Sequence, residues 1–452
     1  MDGAPEVADR TPTGVAVGKA IRRLLPLLVL LYIINYVDRV NIGFAAASTF
    51  NADLGLSAAA YGLGAGLFFI GYFLFEVPSN VILHKVGARL WIARIMITWG
   101  LVATSTAFIQ GEISFYVVRV LLGIAEAGFF PGIILYLTYW FPRAQRAKIV
   151  ALFFMAVPLS SVLGSPISAL LIQNGAGTLG FAEGWRFMFF VEGIPAVLLG
   201  IVVIFLLPSK PRNARWLTTA EATALETTIA AEDAQTVERE VTVREALTNV
   251  RVLALSTVYF GVVFGLYVLG FFLPTVIKGF GTQFGVKITL LENGLITAIP
   301  YAVATVAMFF WSRHSDARQE RAWHVALPAF VGAAGIIGSI YMNSPVLVMV
   351  FVTICTVGVF TAIPVFWQLP NAFLTGVGAA AGIALINSFG NLAGFAGPYL
   401  TGLLKDLTGS IAPGLWVVAG FMVLSGIIVL ALARQNAGNP VLAPAGEPAA
   451  HD

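Results

Sequence analysis

Charge is what this 452-residue chain has least of: Asp, Glu, Lys and Arg together make up only 11% of it, against about 25% in an ordinary soluble domain. The hydrophobic set supplies 58% of the residues. Folded in water, such a chain would expose large apolar patches, which excludes a soluble enzyme. Cysteine is almost missing as well. Cys355 stands alone in an apolar run, so a disulfide scaffold is excluded and nothing follows about redox compartment. Histidine is nearly as scarce: His84, His314 and His324 sit in or beside polar loops and His451 near the C-terminal end. No metal-ligand spacing, Gly-rich loop with a Lys, or nucleophile–His pair lies in an apolar run, so a metal cofactor, ATP-driven transport and intramembrane hydrolysis lose support. Spaced voltage-sensing arginines and a filter-like pore loop are also missing. The 46 glycines keep no fixed period and phenylalanine alone numbers 34, which excludes collagen-like and disordered chains. A net charge of +3 is too small to imply nucleic acid.

What is there is apolar length. A helix crossing a bilayer needs about 20 mostly apolar residues. Twelve such runs are present, at 24–44, 61–83, 91–110, 113–137, 149–172 and 187–207, then 251–275, 292–311, 324–342, 346–368, 378–402 and 413–433. They predict an all-α membrane protein of twelve transmembrane helices, held by the lipid bilayer. Residues 1–20 are polar and lack a small-residue cleavage site after an apolar stretch, so no cleavable signal is expected. The longest polar interval, 208–250, divides the spans six and six. The expected organisation is a tail over 1–20, a six-helix half over 21–207, a linker over 208–250, a second half over 251–433 and a tail over 434–452. Within the linker, Thr218–Glu221 and Thr242–Glu245 have capping-box spacing. Leu225 and Ile229 lie four apart, which predicts a short amphipathic helix lying on the cytoplasmic face.

Lysine and arginine fix the expected orientation. With a cytoplasmic N-terminus, the inside segments hold 20 of the 26 basic residues and the outside loops hold Arg186, Lys278, Lys287 and Lys405. Arg39 and Arg119 fall inside spans. Both ends are therefore expected in the cytoplasm. The loops 80–89 and 312–321 occupy equivalent places in the two halves and share a basic, polar character. This supports two pseudo-symmetric halves, the arrangement in which transporters hold a site at the repeat interface.

Ionisable groups within spans are costly and mark function by default. They are Asp38 and Arg39 in the first span, Glu76 in the second, Arg119 and Glu126 in the fourth, and Glu192 in the sixth. Arg119 and Glu126 lie two helical turns apart, on one side of their helix. Asp38 and Arg39 point about 100° apart, so they need not pair. Two structural ion pairs between helices would account for the four groups; an anion site with a coupled proton site is the functional alternative. With all four ionised, Asp38, Arg39, Arg119 and Glu126 sum to zero. A bound carboxylate adds one negative charge in a poorly solvated cavity, and proton uptake at Asp38 or Glu126 restores neutrality. A guanidinium offers a carboxylate two parallel hydrogen bonds. Glu76, beside Pro78, and Glu192 read as structural. Tyr36, Tyr267, Trp367, Asn387 and Asn391 are polar or amphipathic groups within spans that suit either packing or substrate contact. The glycines at 62, 64, 66, 390, 394 and 397 allow close helix approach.

These residues also form recognisable strings. The stretch Tyr32-Ile-Ile-Asn-Tyr-Val-Asp-Arg-Val-Asn41 resembles the signature of the anion:cation symporter family within the major facilitator superfamily. So do Phe75-Glu-Val-Pro-Ser-Asn80, Arg119-Val-Leu-Leu-Gly-Ile-Ala-Glu-Ala-Gly128, Phe366-Trp-Gln-Leu-Pro370 and Ile386-Asn-Ser-Phe-Gly-Asn391, with Gly184-Trp-Arg-Phe187 between them. The resemblance runs from about residue 22 to 435. It implies the major facilitator fold and transport of small organic anions such as hexuronates, aldonates, tartrate or phthalate, mostly inward with protons. It further implies that Asp38 and Glu126 are the proton-linked carboxylates and that Arg39 and Arg119 accompany the anion. Tyr267, Trp367, Asn387 and Asn391 would face substrate. The chain departs from the superfamily's cytoplasmic loop pattern, with Asn80 and His84 where Gly and Asp are usual, and Ser312 and Gln319 in place of glycines in the second half.

The expected function is thus proton-coupled uptake of a small carboxylate by alternating access. The protein is expected to work as a monomer in the cell membrane. An exchanger or exporter on the same scaffold remains open. A non-transporting membrane sensor would need an output domain that neither tail is long enough to form.

Overall fold

The computed structural model describes residues 11–234, 248–371 and 376–437. Twelve long helical units run through it: α1 (Pro12–Val40), α2 (Ala58–Val86), α3 (Ala88–Ser105), α4 (Glu112–Glu126, then Phe129–Thr138), α5 (Arg143–Phe154, then Ala156–Gly175) and α6 (Gly184–Leu206). The second half holds α7 (Val250–Phe284), α8 (Leu290–Arg318), α9 (Ala322–Tyr341), α10 (Pro345–Phe366), α11 (Gly376–Thr408) and α12 (Ala412–Ala437). No strand occurs among the described residues. Among them, ten helices are long and apolar enough to cross a membrane. α1 and α11, at 29 and 33 residues, complete the twelve.

Local chemistry explains where these helices start. Thr11 accepts a hydrogen bond from Gly14 N at 3.1 Å, and Ser57 accepts from Ala60 N at the same distance. At the start of α8, Thr289 and Glu292 cap each other's backbone N–H groups reciprocally. Such caps satisfy helix N–H groups that have no intrahelical acceptor.

The fourth apolar run, expected as one span, is broken. Gly128 adopts the left-handed region at φ 87° between the two segments of α4, a conformation that suits glycine. The break releases the Ala127 carbonyl, which accepts from Ser79 Oγ at 2.6 Å, as a buried backbone group in a membrane requires. The first run is also interrupted: α1 ends at Val40, and a separate short helix, Ile42–Ala47, follows Asn41. Hydropathy does not register either break, because the apolar character continues across it.

In the linker, Glu221 N donates to Thr218 Oγ1 at 3.3 Å and Thr218 N donates back to Glu221 Oε2 at 2.9 Å. This starts a helix at Thr219–Ala234. The helix docks on the start of α1. Lys19 Nζ pairs with Glu221 at 2.7 Å, and Leu225 is fully buried. The second capping pattern, Thr242–Glu245, lies outside the described residues, as do 1–10 and 438–452.

The halves meet along two seams, α2 against α11 and α5 against α8. Each seam maps onto the other when six helices are counted on, as a two-fold pseudo-symmetry demands. At Gly62 the α2 backbone lies so close to the Pro398 carbonyl that a Cβ would collide with it. Most hydrogen bonds that join the halves lie towards one end. There Lys278 Nζ donates to Ser48 O at 2.9 Å and Tyr61 OH donates to Phe271 O at 3.1 Å. Towards the opposite end, which carries the linker, the halves are joined by the hydrogen bonds of Asn387 and Asn391 to Glu76.

Candidate functional site

A cavity opens between the halves and takes its lining from both. Five tyrosines line it: Tyr32 and Tyr36 from α1, Tyr72 from α2, and Tyr259 and Tyr267 from α7. Phe130 of α4, Phe154 of α5, Phe360 and Ile363 of α10, and Asn387 and Asn391 of α11 also line it. Arg39 is its one charged lining side chain among the described residues.

Arg39 is 8% exposed and tightly held. One guanidinium nitrogen pairs with Glu126 Oε1, and another donates to Tyr267 OH at 3.3 Å. Its Cζ lies 5.1–5.5 Å from the ring centres of Tyr36, Phe68 and Tyr72, within cation–π range. Tyr267 belongs to the second half, so Arg39 links α1, α4 and α7 at one point.

The neighbouring acid faces elsewhere. Asp38 Oδ2 accepts from Trp99 Nε1 of α3 at 2.7 Å, inside the first half. Asp38 and Arg39 therefore go to different partners, as adjacent helical residues about 100° apart do. Asp38 Oδ1 and Glu126 Oε2 are buried and make no hydrogen bond.

Arg119 lies outside the lining. Its guanidinium donates to the Gly64 and Ala65 carbonyls of α2 at 3.4 and 3.2 Å. It sits over the Phe68 ring at 5.1 Å, so Phe68 stands between the two buried arginines. Although Arg119 and Glu126 leave one helix on the same side, they serve different neighbours. Trp367 lies behind the wall, its ring 5.0 Å from that of Tyr259 in an edge-on contact.

Asn387 and Asn391 line the cavity and donate across the seam to Glu76 of α2, at 2.7 Å and 3.2 Å. Glu192 is buried and takes Asn41 Nδ2 at 2.8 Å and Ser168 Oγ at 2.7 Å. Of the residues singled out from sequence, the structure gathers Tyr36, Arg39, Tyr267, Asn387 and Asn391 on one cavity, with Glu126 directly behind. Asp38, Arg119 and Trp367 stand off it. Sequence reasoning passed over Tyr32, Tyr72 and Tyr259. The signal was present in the spacing, since Tyr32 lies one turn before Tyr36 and Tyr72 one turn before Glu76, on the same helix faces.

The family model described as Major Facilitator Superfamily matches residues 28–398. The chain belongs to the Major Facilitator Superfamily. This is a family of transporters rather than enzymes, and the twelve helices in two halves are its fold. Among the relatives of this transporter is an Agrobacterium vitis protein that carries the name tartrate transporter, 51% identical over 92% of this chain and 90% of that one. Another, named a quinolone resistance transporter, from Acinetobacter baumannii, is 41% identical over 92% of this chain and 95% of that one. Among solved structures, the partially occluded inward-open xylose transporter XylE from E. coli superposes with a TM-score of 0.72 at 15% identity. That match covers 91% of this chain and 99% of the other, and at such identity it shows the fold alone.

Proposed function

We propose that this transporter imports a small organic anion, a carboxylate, together with protons. The observation that carries the reading is Arg39. It is a buried guanidinium on the wall of a tyrosine-rich cavity, and its charge is balanced from behind by Glu126. A substrate carboxylate arriving at Arg39 competes with Glu126, and the displaced acid then takes a proton. Asp38, with one oxygen unpaired inside the same half, is the second proton carrier. Arg119 supports the anion's field from behind Phe68. The name of the tartrate transporter relative points towards the same substrate class.

With both termini in the cytoplasm, as the loop charges indicate, the sealed end is external and the cavity faces inward. The membrane is then the cell membrane. A second reading, export or exchange, is favoured by the relative named for quinolone resistance.

The test is current from purified protein in supported liposomes, after jumps to each of a panel of carboxylates under an inward proton gradient. The reading expects a positive current that follows one acid and disappears in Glu126→Gln and Asp38→Asn. Counterflow of an acid that no proton gradient can drive inward would establish the exchange reading instead. Wild-type currents in both variants would remove the coupling role from these two acids.

A further inference from the structure

Glu76 has no part in the mechanism above, yet its place is unusual. It is a carboxylate in a membrane-crossing helix, 9% exposed, and it bridges the two halves. Its two oxygens take Asn387 Nδ2 at 2.7 Å and Asn391 Nδ2 at 3.2 Å. Both asparagines line the substrate cavity, one helical turn apart on the same face of α11. Two convergent amide donors are what a carboxylate or hydroxyl on a ligand needs, and Glu76 already occupies them.

We propose that the Asn387–Asn391 pair is the second polar anchor of the substrate site, that Glu76 holds it in the empty cavity, and that a substrate with a distal carboxylate takes the pair by displacing Glu76, which then binds a proton. The proposal rests on the carboxylate reading above and deepens it. It names a two-ended acid, with one carboxylate at Arg39 on the first half and the other at the amides on the second. It also gives such an acid a proton that a one-ended acid does not carry.

The physical reason is the cost of an unpaired buried charge. While the amides hold it, the Glu76 carboxylate is compensated. Once a ligand takes those donors, the charge is buried without hydrogen bonds, and neutralisation by a proton is the cheapest relief. The groups that face Glu76 leave no other compensation close by. Tyr72 on its own helix and Tyr259 on α7 both feel its charge and offer only phenols. Arg39 of α1 acts on it from a distance and is already paired with Glu126 of α4. On α3, Arg94 stacks on Trp91 at 4.0 Å. α11 presents the two asparagines.

A merely structural brace between α2 and α11 would alter stability but not proton linkage. The deciding experiment is equilibrium binding of tartrate, with two carboxylates, and of glycerate, with one, to the purified full-length protein. Affinities are measured from about pH 6 to 8.5, where the slope of log Kd against pH counts the protons taken up on binding. In the wild type the tartrate slope is expected to exceed the glycerate slope by about one proton. Glu76→Gln should remove that difference, and Glu76→Asp, which keeps a titratable group, should retain it.

A Glu76→Gln protein that binds tartrate with the wild-type slope overturns the inference. Should that variant fail to fold, Asn387→Ala leaves Glu76 intact. It is expected to weaken tartrate about ten-fold, a single hydrogen bond to a charged group, and to leave glycerate unchanged. Equal weakening of both acids overturns the inference. A wild-type protein that binds no acid of the carboxylate panel overturns the carboxylate reading itself, and one that binds only one-ended acids of that panel overturns this inference alone.

Discussion

Asp406 and Gln173 play matching parts in the two halves. Asp406, near the end of α11, accepts hydrogen bonds from Ala58 N at 3.1 Å and Ala59 N at 2.7 Å, the first backbone donors of α2. Gln173, near the end of α5, accepts from Leu291 N at 3.0 Å, at the start of α8. Each seam is thus capped at the same end by a side chain of one half on a helix N-terminus of the other. The acceptor that ends a helix's unpaired donors is here also a latch between domains.

The Asp406 latch is testable by accessibility. Asp406→Ala removes an N-terminal acceptor worth about 1 kcal/mol, which should open the sealed end roughly five-fold more often. The readout is labelling of Val263→Cys, a cavity residue, by a membrane-impermeant maleimide added from the sealed side. Cys355 is fully buried, so the native thiol should stay silent. An unchanged labelling rate would mean that Asp406 does not hold the seam.

Gly62 sets the same seam by its lack of a side chain. Gly62→Val places methyl groups where the Pro398 carbonyl now lies, and a backbone neighbour cannot move aside as a flexible side chain can. The variant should fail to close this end. Val263→Cys should then label rapidly from the sealed side, and transport should stop while the protein still folds.

Arg39 and Glu126 should couple in a double-mutant cycle. Removing one partner of a buried pair leaves an unpaired charge and costs about 3–5 kcal/mol. Arg39→Ala and Glu126→Ala should each lower the melting temperature in detergent more than the double variant does. Substrate binding should not return in the double variant, because the guanidinium that meets the anion is gone. Additive losses would show that the contact carries little energy.

Much of this was legible beforehand. The twelve runs and the buried acids and arginines follow from hydropathy and charge, since a bilayer penalises each unpaired polar group. The pairing was not legible. Arg119 and Glu126, on one side of one helix, suggest a shared role. Phe68 instead separates Arg119 from Arg39, and Glu126 reaches back to α1. Gly128 gave no warning of its break because glycines are common in such helices for packing alone.

The linker contact should respond to pH. The Glu221 carboxyl is held below the usual range, chiefly by its hydrogen bond from the Lys19 ammonium. A depressed carboxyl contributes stability above its unfolded value and loses it as pH falls through the folded one. Docking of the Thr219–Ala234 helix on α1 should therefore be intact at neutral pH and loosen only in acid, below the ordinary glutamate value of about 4.3. Spin labels at Thr13→Cys and Thr228→Cys, whose hydroxyls lie 3.3 Å apart, should show a narrow distance distribution that broadens on acidification. Glu221→Gln should broaden it at neutral pH.

The sequence by itself determined that this is a membrane protein of twelve helices in two halves, with few charges to spare inside. Hydropathy is a local property, and the cost of a charge in lipid does not depend on its partners. Which charges meet did depend on them. Only the tertiary structure turned Asp38 away from Arg39 towards Trp99, set Arg119 behind Phe68, and brought Glu76 of α2 to the asparagines of α11. Those contacts join residues up to 315 positions apart. No periodicity records them, because they arise where helices distant in sequence pack together, within the first half for Asp38 and Arg119 and between the halves for Glu76.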